Sequence, residues 1–422
     1  MEALAQEHTV VKRSQSPDKD FMYTPSVLRL ENGRLLVSLD VSDRCGEIYA
    51  SDDGGNTWTL KGTGAFTHAR LFADGDKVYL IGHKENLIIF VSCDGGETWS
   101  EEFVLAEGQW HQSACSVCYK NGYIYLVMEC LCKKENEVFP YWCPYVLAPV
   151  VMRGKLGTDL TQTENWLFSE KVAFRDWIPD ENMLEWFGVP FFDSPLNHPD
   201  EKFVSATEYR NNLEAYKDKQ TFTTHPIGWL ETNLVEIVDP KHYWYDPEGK
   251  TLMLFMRAHT GGSGYCCVAK AVEETVDGVD QIKIRPVTNP SGKKVLFLPM
   301  PGGQMKFYIT FDSKTKLYWL LSTQATDTMC RIEYLDAERY NIPCDERERL
   351  TLHFSKNMVD WVFAGLVAKG DSPKQSRHYG SMDIDGEDLV IVSRSGDADS
   401  NSAHNGNLIT FHRVKNFRNL IY

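Results

Sequence analysis

Arg377-His378-Tyr379 opens one short apolar run of this sequence, and Leu230-Glu231-Thr232 opens another. A tyrosine is a poor nucleophile at its ordinary pKa of about 10, so one that attacks carbon needs a carboxylate to take its proton. Glu231 is a candidate for that base. The couple suits a reacting carbon that already bears a carboxylate, because a neutral attacker avoids like-charge repulsion. Arg257, Arg377, Arg70 and Arg44 are candidate clamps for such an anion, since a guanidinium presents a planar fork matched to it. His68 and His111 offer proton transfer near neutral pH. Lys306 adds a cation, and Trp229 a face on which a sugar can stack.

These residues are far apart in the chain, so a repeating fold must gather them. The stretch Ser51-Asp-Asp-Gly-Gly-Asn-Thr-Trp58 returns as Ser92-Cys-Asp-Gly-Gly-Glu-Thr-Trp99, 41 residues later. Asp-Gly-Gly supplies positive φ at little steric cost, and a fixed period marks a repeat architecture. Short apolar runs separated by turn residues fill the rest, with almost no helical periodicity. The first unit reads Tyr23–Leu30, Arg34–Leu39, Glu47–Ser51 and Trp58–Lys61, and the second repeats that order from His68 to Val104. In both, the box falls between the third and fourth strands, where Ser, Asp and Trp pin the turn. Four further units follow, beginning near Trp110, Gly228, Gly303 and Arg377; the fifth ends in a shortened box, Ser355–Trp361. The sixth lacks a fourth strand, which His8–Lys12 can supply by closing the ring.

The expectation is an all-β, six-bladed propeller forming one catalytic domain over residues 1–422. An insertion over 176–224 should cover one face. Innermost strands then present Thr24, His68, Arg70, His111, Glu231, Lys306, Arg377 and Tyr379 to the axis. Second-strand ends present Asp40, Asp43, Arg44, His83, Lys84, Glu129, Arg257, His259, Arg394 and Asp397 to the same mouth. Cations, carboxylates and imidazoles gathered on an acidic chain suit a pocket for an anionic sugar.

The boxes on six units resemble the sialidase (neuraminidase) superfamily of Asp-box, or BNR-repeat, propellers. Leu230-Glu-Thr-Asn-Leu-Val-Glu-Ile-Val238, followed by Thr251-Leu-Met-Leu-Phe-Met-Arg257, is similar to the segment in which that family starts one strand with glutamate and ends the next with arginine. Arg377-His-Tyr-Gly-Ser-Met382 is similar to the strand with the nucleophilic tyrosine. The resemblance implies Tyr379 as nucleophile, Glu231 as its base, Arg257 in the arginine cluster and Asp43 as acid/base, with Asp40 in reserve. The family's Phe/Tyr-Arg-Ile-Pro signature is absent; Met22-Tyr-Thr-Pro25 puts Thr24 in place of its arginine. Lys306 stands nearest to a third cluster arginine.

The chain has 422 residues, a net charge of −15 and eleven cysteines. That charge argues against nucleic acid or an anionic membrane as partner. An odd cysteine count and the lack of an apolar leader point to reduced thiols in the cytoplasm. No metal or cofactor motif stands out. The leading function is an exo-acting glycoside hydrolase of sialidase type, removing a terminal acidic sugar from an oligosaccharide. A uronate-directed lyase or glycosidase, with histidine or tyrosine as base, is the alternative; a non-catalytic glycan-binding propeller is a third. Ser42–Gly46 also reads as a plain turn, and Tyr379, Trp229 and each histidine also read as core residues.

Overall fold

The computed structural model describes residues 2–41, 45–135, 137, 144–179, 181–184, 204–205, 223–224, 227–260, 263–329 and 346–422. Alternating and continuous apolar runs become short antiparallel strands, gathered into six sheets that are the blades of a propeller. Blade 1 is Met22–Arg29, Leu35–Val41, Cys45–Ser51 and Thr59–Gly64. Blade 2 is Thr67–Asp74, Lys77–His83, Leu87–Ser92 and Phe103–Ala106. In blade 3 the inner strand is broken: Trp110–His111 and Cys118–Lys120 both pair with Tyr123–Leu131, which leads to Leu147–Lys155 and Trp166–Phe168. Blade 4 is Gly228–Val235, Thr251–His259, Tyr265–Val276 and Val279–Arg285. Blade 5 is Tyr308–Asp312, Leu317–Thr323, Arg349–Ser355 and Val362–Lys369. Blade 6 is Arg377–Asp385, Asp388–Ser395 and Leu408–Val414, completed by Thr9–Arg13 from the N-terminal side. The ring therefore closes with the first strand as expected, and no blade is left with a long free edge at the seam.

The core is divided among the wedges between neighbouring blades. Phe72, Ile81 and Ile89 of blade 2 pack with Trp110, Leu126 and Met152 of blade 3. Val37 and Leu39 of blade 1 pack with Val392, Ile409 and Phe411 of blade 6, and corresponding clusters fill the other four wedges. Each sheet is apolar on both faces because both are covered. That explains why the strands read as unbroken apolar runs.

The boxes pin turns in the way their residue types dictate. Ser51 Oγ accepts from Gly55 N at 2.9 Å, and the Asp53 carboxylate accepts from the Asn56 and Thr57 amides and the Thr57 hydroxyl. The Trp58 indole donates to Gly55 O at 3.1 Å and packs edge-on against Phe411 of blade 6. Gly55 is at φ 95°, and a Cβ there would meet the Phe411 ring at 2.2 Å, so both conformation and space demand glycine. Ser92–Trp99 repeats the serine and aspartate contacts. In the shortened box Asn357 takes the aspartate's place, accepting from Val359 N and Asp360 N.

One expectation needs correction. Blade 5 begins at Tyr308, so Lys306 lies in the lead-in to the strand and not within it. The fourth strand of blade 4, Val279–Arg285, forms from the polar sequence Val-Asp-Gln-Ile-Lys-Ile-Arg. The expected insertion falls largely outside the described residues; of it, Val204–Ser205 and Thr223–Thr224 pair as parallel strands.

Candidate active site

Four inner strands break register at the same place. The shifts fall at Tyr23/Ser26, Thr67/Arg70, Leu230/Asn233 and His378/Ser381, in blades 1, 2, 4 and 6. At each, one non-glycine residue has positive φ: Thr24 at 25°, His68 at 53°, Glu231 at 58° and Tyr379 at 51°. Left-handed backbone costs an L-residue about 1–2 kcal/mol, and such strain persists only where the surroundings fix it. A bulge re-aims its side chain, and these four converge from separate blades. The residues just beyond the bulges hold the ring together. Ser381 Oγ accepts from Val27 N of blade 1, and Ser26 Oγ from Leu71 N of blade 2. Asn233 Oδ1 accepts from Ile309 N of blade 5, and Ser116 Oγ of blade 3 from Leu234 N of blade 4.

Arg257, at the end of the second strand of blade 4, joins two of the bulge residues. Its Nη1 donates to the Tyr379 hydroxyl at 2.9 Å and lies 3.4 Å from Glu231 Oε2. Its Nε donates to Gln304 O at 2.7 Å, which fixes the plane of the fork. Ser113 Oγ donates to Glu231 Oε1 at 3.3 Å. Burial pushes the Tyr379 phenol above its ordinary range and the Glu231 charge adds to this, while the Arg257, Arg347 and Arg394 charges pull it down. Arg394 has its guanidinium carbon 4.2 Å from the Tyr23 ring centre and 5.2 Å from that of Tyr379. Arg347 Nη1 lies 3.2 Å from His378 Nδ1. Three buried guanidinium groups thus surround one phenol.

Imidazoles and carboxylates make the opposite half of the mouth. His68 Nδ1 lies 3.2 Å from His83 Nε2, and the His68 and His111 rings meet edge to face with centres 4.9 Å apart. Asp40 Oδ1 accepts from the His68 amide at 3.0 Å, and its Oδ2 lies 3.8 Å from His68 Nε2. Burial lifts the Asp40 carboxyl to about 7. The same cause, with the charges of His111 and His83, holds His68 well below its usual range. Glu129 Oε1 accepts from Thr232 N and Oγ1, both at 3.1 Å, and His111 Nδ1 lies 3.5 Å from its Oε2. Burial raises the Glu129 carboxyl, and His111 opposes this. His68 and His111 keep part of their surface open. Among the described residues, no three His, Cys, Asp or Glu side chains are arranged to hold a metal ion.

No family model and no curated protein matches the sequence. The fold does find relatives. A Hadza microbial sialidase matches over 97% of this chain and 68% of its own, at 13% identity and a TM-score of 0.52. The sialidase of Trypanosoma rangeli matches over 98% of this chain and 59% of its own, at 12% identity and a TM-score of 0.50. A protein of unknown function from Dyadobacter fermentans matches over 97% and 98%, at 12% identity and a TM-score of 0.51. The chain folds as a sialidase-like propeller.

On this sialidase-like frame the expected site residues fall into three groups. Tyr379, Glu231, Arg257, His68 and His111 come together at the mouth. Asp43 and Arg44 lie outside the described residues. The others stand elsewhere. Arg377 Nη1 donates to the carbonyls of Ser376 and Gly396, so it braces backbone and is no clamp beside Tyr379. Trp229 is fully buried, donates to Leu147 O at 2.9 Å and packs edge-on against Phe174 and Trp177. It is a core residue with no face for a sugar. Arg70 lies over the Tyr308 ring, two residues beyond the bulge, and Lys306 Nζ donates to Gly380 O. The lysine therefore supports the Tyr379 bulge from behind.

Arg347 was absent from the sequence-based candidates, and Glu129, His83 and Arg394 were placed at the mouth as second-strand ends without a role. Glu129, His83 and Arg394 carried a signal, since each ends or nearly ends a second strand as Arg257 does. Arg347 carried none. It stands in Asp345-Glu-Arg-Glu-Arg349, which reads as a solvated charge run.

Proposed function

We propose that the protein is an exo-acting glycoside hydrolase of sialidase type, which removes a terminal acidic sugar, sialic acid or a relative, from an oligosaccharide. One observation carries this reading: a single arginine nitrogen bridges the Tyr379 hydroxyl and the Glu231 carboxylate, with two more guanidinium groups at the phenol. The fold likeness to sialidases supports it. Glu231 takes the phenolic proton as the tyrosine oxygen bonds to the anomeric carbon, and the electron pair of the breaking bond leaves on the glycosidic oxygen. Arg257, Arg347 and Arg394 grip the sugar carboxylate and stabilise the charge that develops on the phenol. Asp43 keeps its proposed role as the acid that protonates the leaving oxygen. A cytoplasmic setting fits the free thiols of the eight described cysteines, of which Cys45 and Cys93 are exposed.

The histidine cluster beside a high-pKa Asp40 favours a second reading, in which His68 is the base of uronate-directed chemistry. Release of fluorophore from an aryl α-sialoside distinguishes the two, measured for wild type, Tyr379→Phe and Glu231→Ala. The first reading expects turnover that falls at least about 100-fold in both variants. Turnover that survives in both overturns the tyrosine couple. No turnover by wild type, with cleavage of uronate glycosides, establishes the second.

A further inference from the structure

Blades 4 and 6 present Glu231 and Tyr379 on bulges, whereas the inner strand of blade 5, between them in the ring, begins only at Tyr308. The stretch that leads into it, Gln304-Met305-Lys306-Phe307, is buried at every residue. It is tied to the residue or the strand of each member of the tyrosine couple. Gln304 O accepts from Arg257 Nε at 2.7 Å. Phe307 O accepts at 3.0 Å from Nδ2 of Asn233, two residues beyond Glu231. Lys306 Nζ donates to Gly380 O, the carbonyl that follows Tyr379 within the register break of blade 6.

Lys306 is the one charged side chain of this stretch and is 1% exposed. Its Nζ lies 5.3 Å from the centre of the Tyr308 ring of its own blade. Glu231 of blade 4, Cys115 of blade 3 and Arg70 of blade 2 act on it, and the Tyr379 bulge of blade 6 receives its hydrogen bond. Burial and Arg70 work against the ammonium charge while Cys115 and Glu231 support it, which leaves Lys306 at about 8 instead of 10.5. Burial raises Cys115, Tyr308 and Tyr379 above their ordinary values, so none of these titrates with it. We propose that Lys306 is a positioning residue, an internal strut that holds the Tyr379 bulge and the Glu231 carboxylate in one geometry without touching the sugar. A charged donor bonds a carbonyl more strongly than a neutral one, so the strut is firm below about pH 8 and loosens above it. Its effect on turnover rests on the tyrosine-couple reading; its hold on the backbone does not.

Nuclear magnetic resonance of tyrosine labelled with carbon-13 at Cζ tests the strut without turnover, the Tyr379→Phe variant identifying the Tyr379 signal. In the wild type that signal should step as pH passes through about 8. Lys306→Met removes the donor, and Lys306→Arg stays charged far above that pH, so neither should show the step. Hydrolysis of an aryl α-sialoside is the second arm. Lys306→Met should lose about 10-fold in kcat with KM unchanged, and Lys306→Arg should recover part of that loss. A flat Tyr379 signal in the wild type overturns the proposal, whether or not Lys306→Met folds. So does a step that persists in Lys306→Arg. A Lys306→Met variant with raised KM and unchanged kcat also overturns it, for the lysine would then grip substrate. Should the wild type not cleave the sialoside while the Tyr379 step depends on Lys306, the glycosidase reading fails and the strut stands.

Discussion

Replacing Arg257 by methionine removes the one cation that bridges Tyr379 and Glu231 while keeping most of the stem that packs beneath them. Glu231 is 2% exposed, and its remaining side-chain contact is the Ser113 hydroxyl at 3.3 Å. Breaking a buried pair from one side costs about 3–5 kcal/mol, because the other charge is left uncompensated. The 3.4 Å separation and the nearby charge of Lys306, which also acts on Glu231, place the expectation at the low end, about 3 kcal/mol. Glu231→Gln alone should cost about 1 kcal/mol, since the amide keeps the shape and one acceptor. The double variant has no stranded carboxylate, so its loss should be about 2 kcal/mol, well below that of Arg257→Met. Urea unfolding of the four proteins measures this, provided tryptophan fluorescence and circular dichroism give coincident transitions. Single losses that add to within about 0.5 kcal/mol would refute the reasoning, for Arg257 would then not be the charge partner of Glu231.

Asp40 gives a pH signature. Its carboxyl is lifted from 3.8 to about 7, so between those values the folded protein holds a proton that the unfolded chain has lost. The stabilisation is complete below pH 3.8 and is lost as pH rises through about 7; Asp40→Asn should remove this part of the slope between pH 5 and 7, and an unaltered slope by urea titration would contradict the burial argument. Trp229→Phe should lower stability by about 1–3 kcal/mol through a lost hydrogen bond and unfilled volume, with KM unchanged. A KM raised tenfold at full stability would return Trp229 to the sugar pocket. Ser51→Ala should cost about 1–2 kcal/mol by leaving the Gly55 amide without its acceptor, and should leave turnover intact once the protein is folded. A Tm equal to wild type would show that the box serine is dispensable.

The sequence alone determined the repeat, and with it the blades, the closing strand and four of the inner strands that carry chemistry. The reason is local. A Ser-x-Asp-Gly-Gly-x-Thr-Trp turn is made by its own residues, and a strand covered on both faces must be apolar throughout, so both leave a direct trace. Tyr379, Glu231 and Arg257 were legible because strand ends are legible once the strands are. Partnership was not. Whether an arginine grips a ligand or a carbonyl depends on which backbone passes it, and that is set by blades remote in sequence. Arg377 looked better placed than Arg394 by proximity to Tyr379, yet Arg377 is tied to Gly396 O and Arg394 lies over the Tyr379 ring. Arg347 sat hidden in a charge run, and only the packing of blade 5 against blade 6 brings it to His378. The bulges were invisible for the same reason. Positive φ at Thr24, His68, Glu231 and Tyr379 is imposed by hydrogen bonds between blades against local preference, and a residue's type does not announce strain that its neighbours enforce.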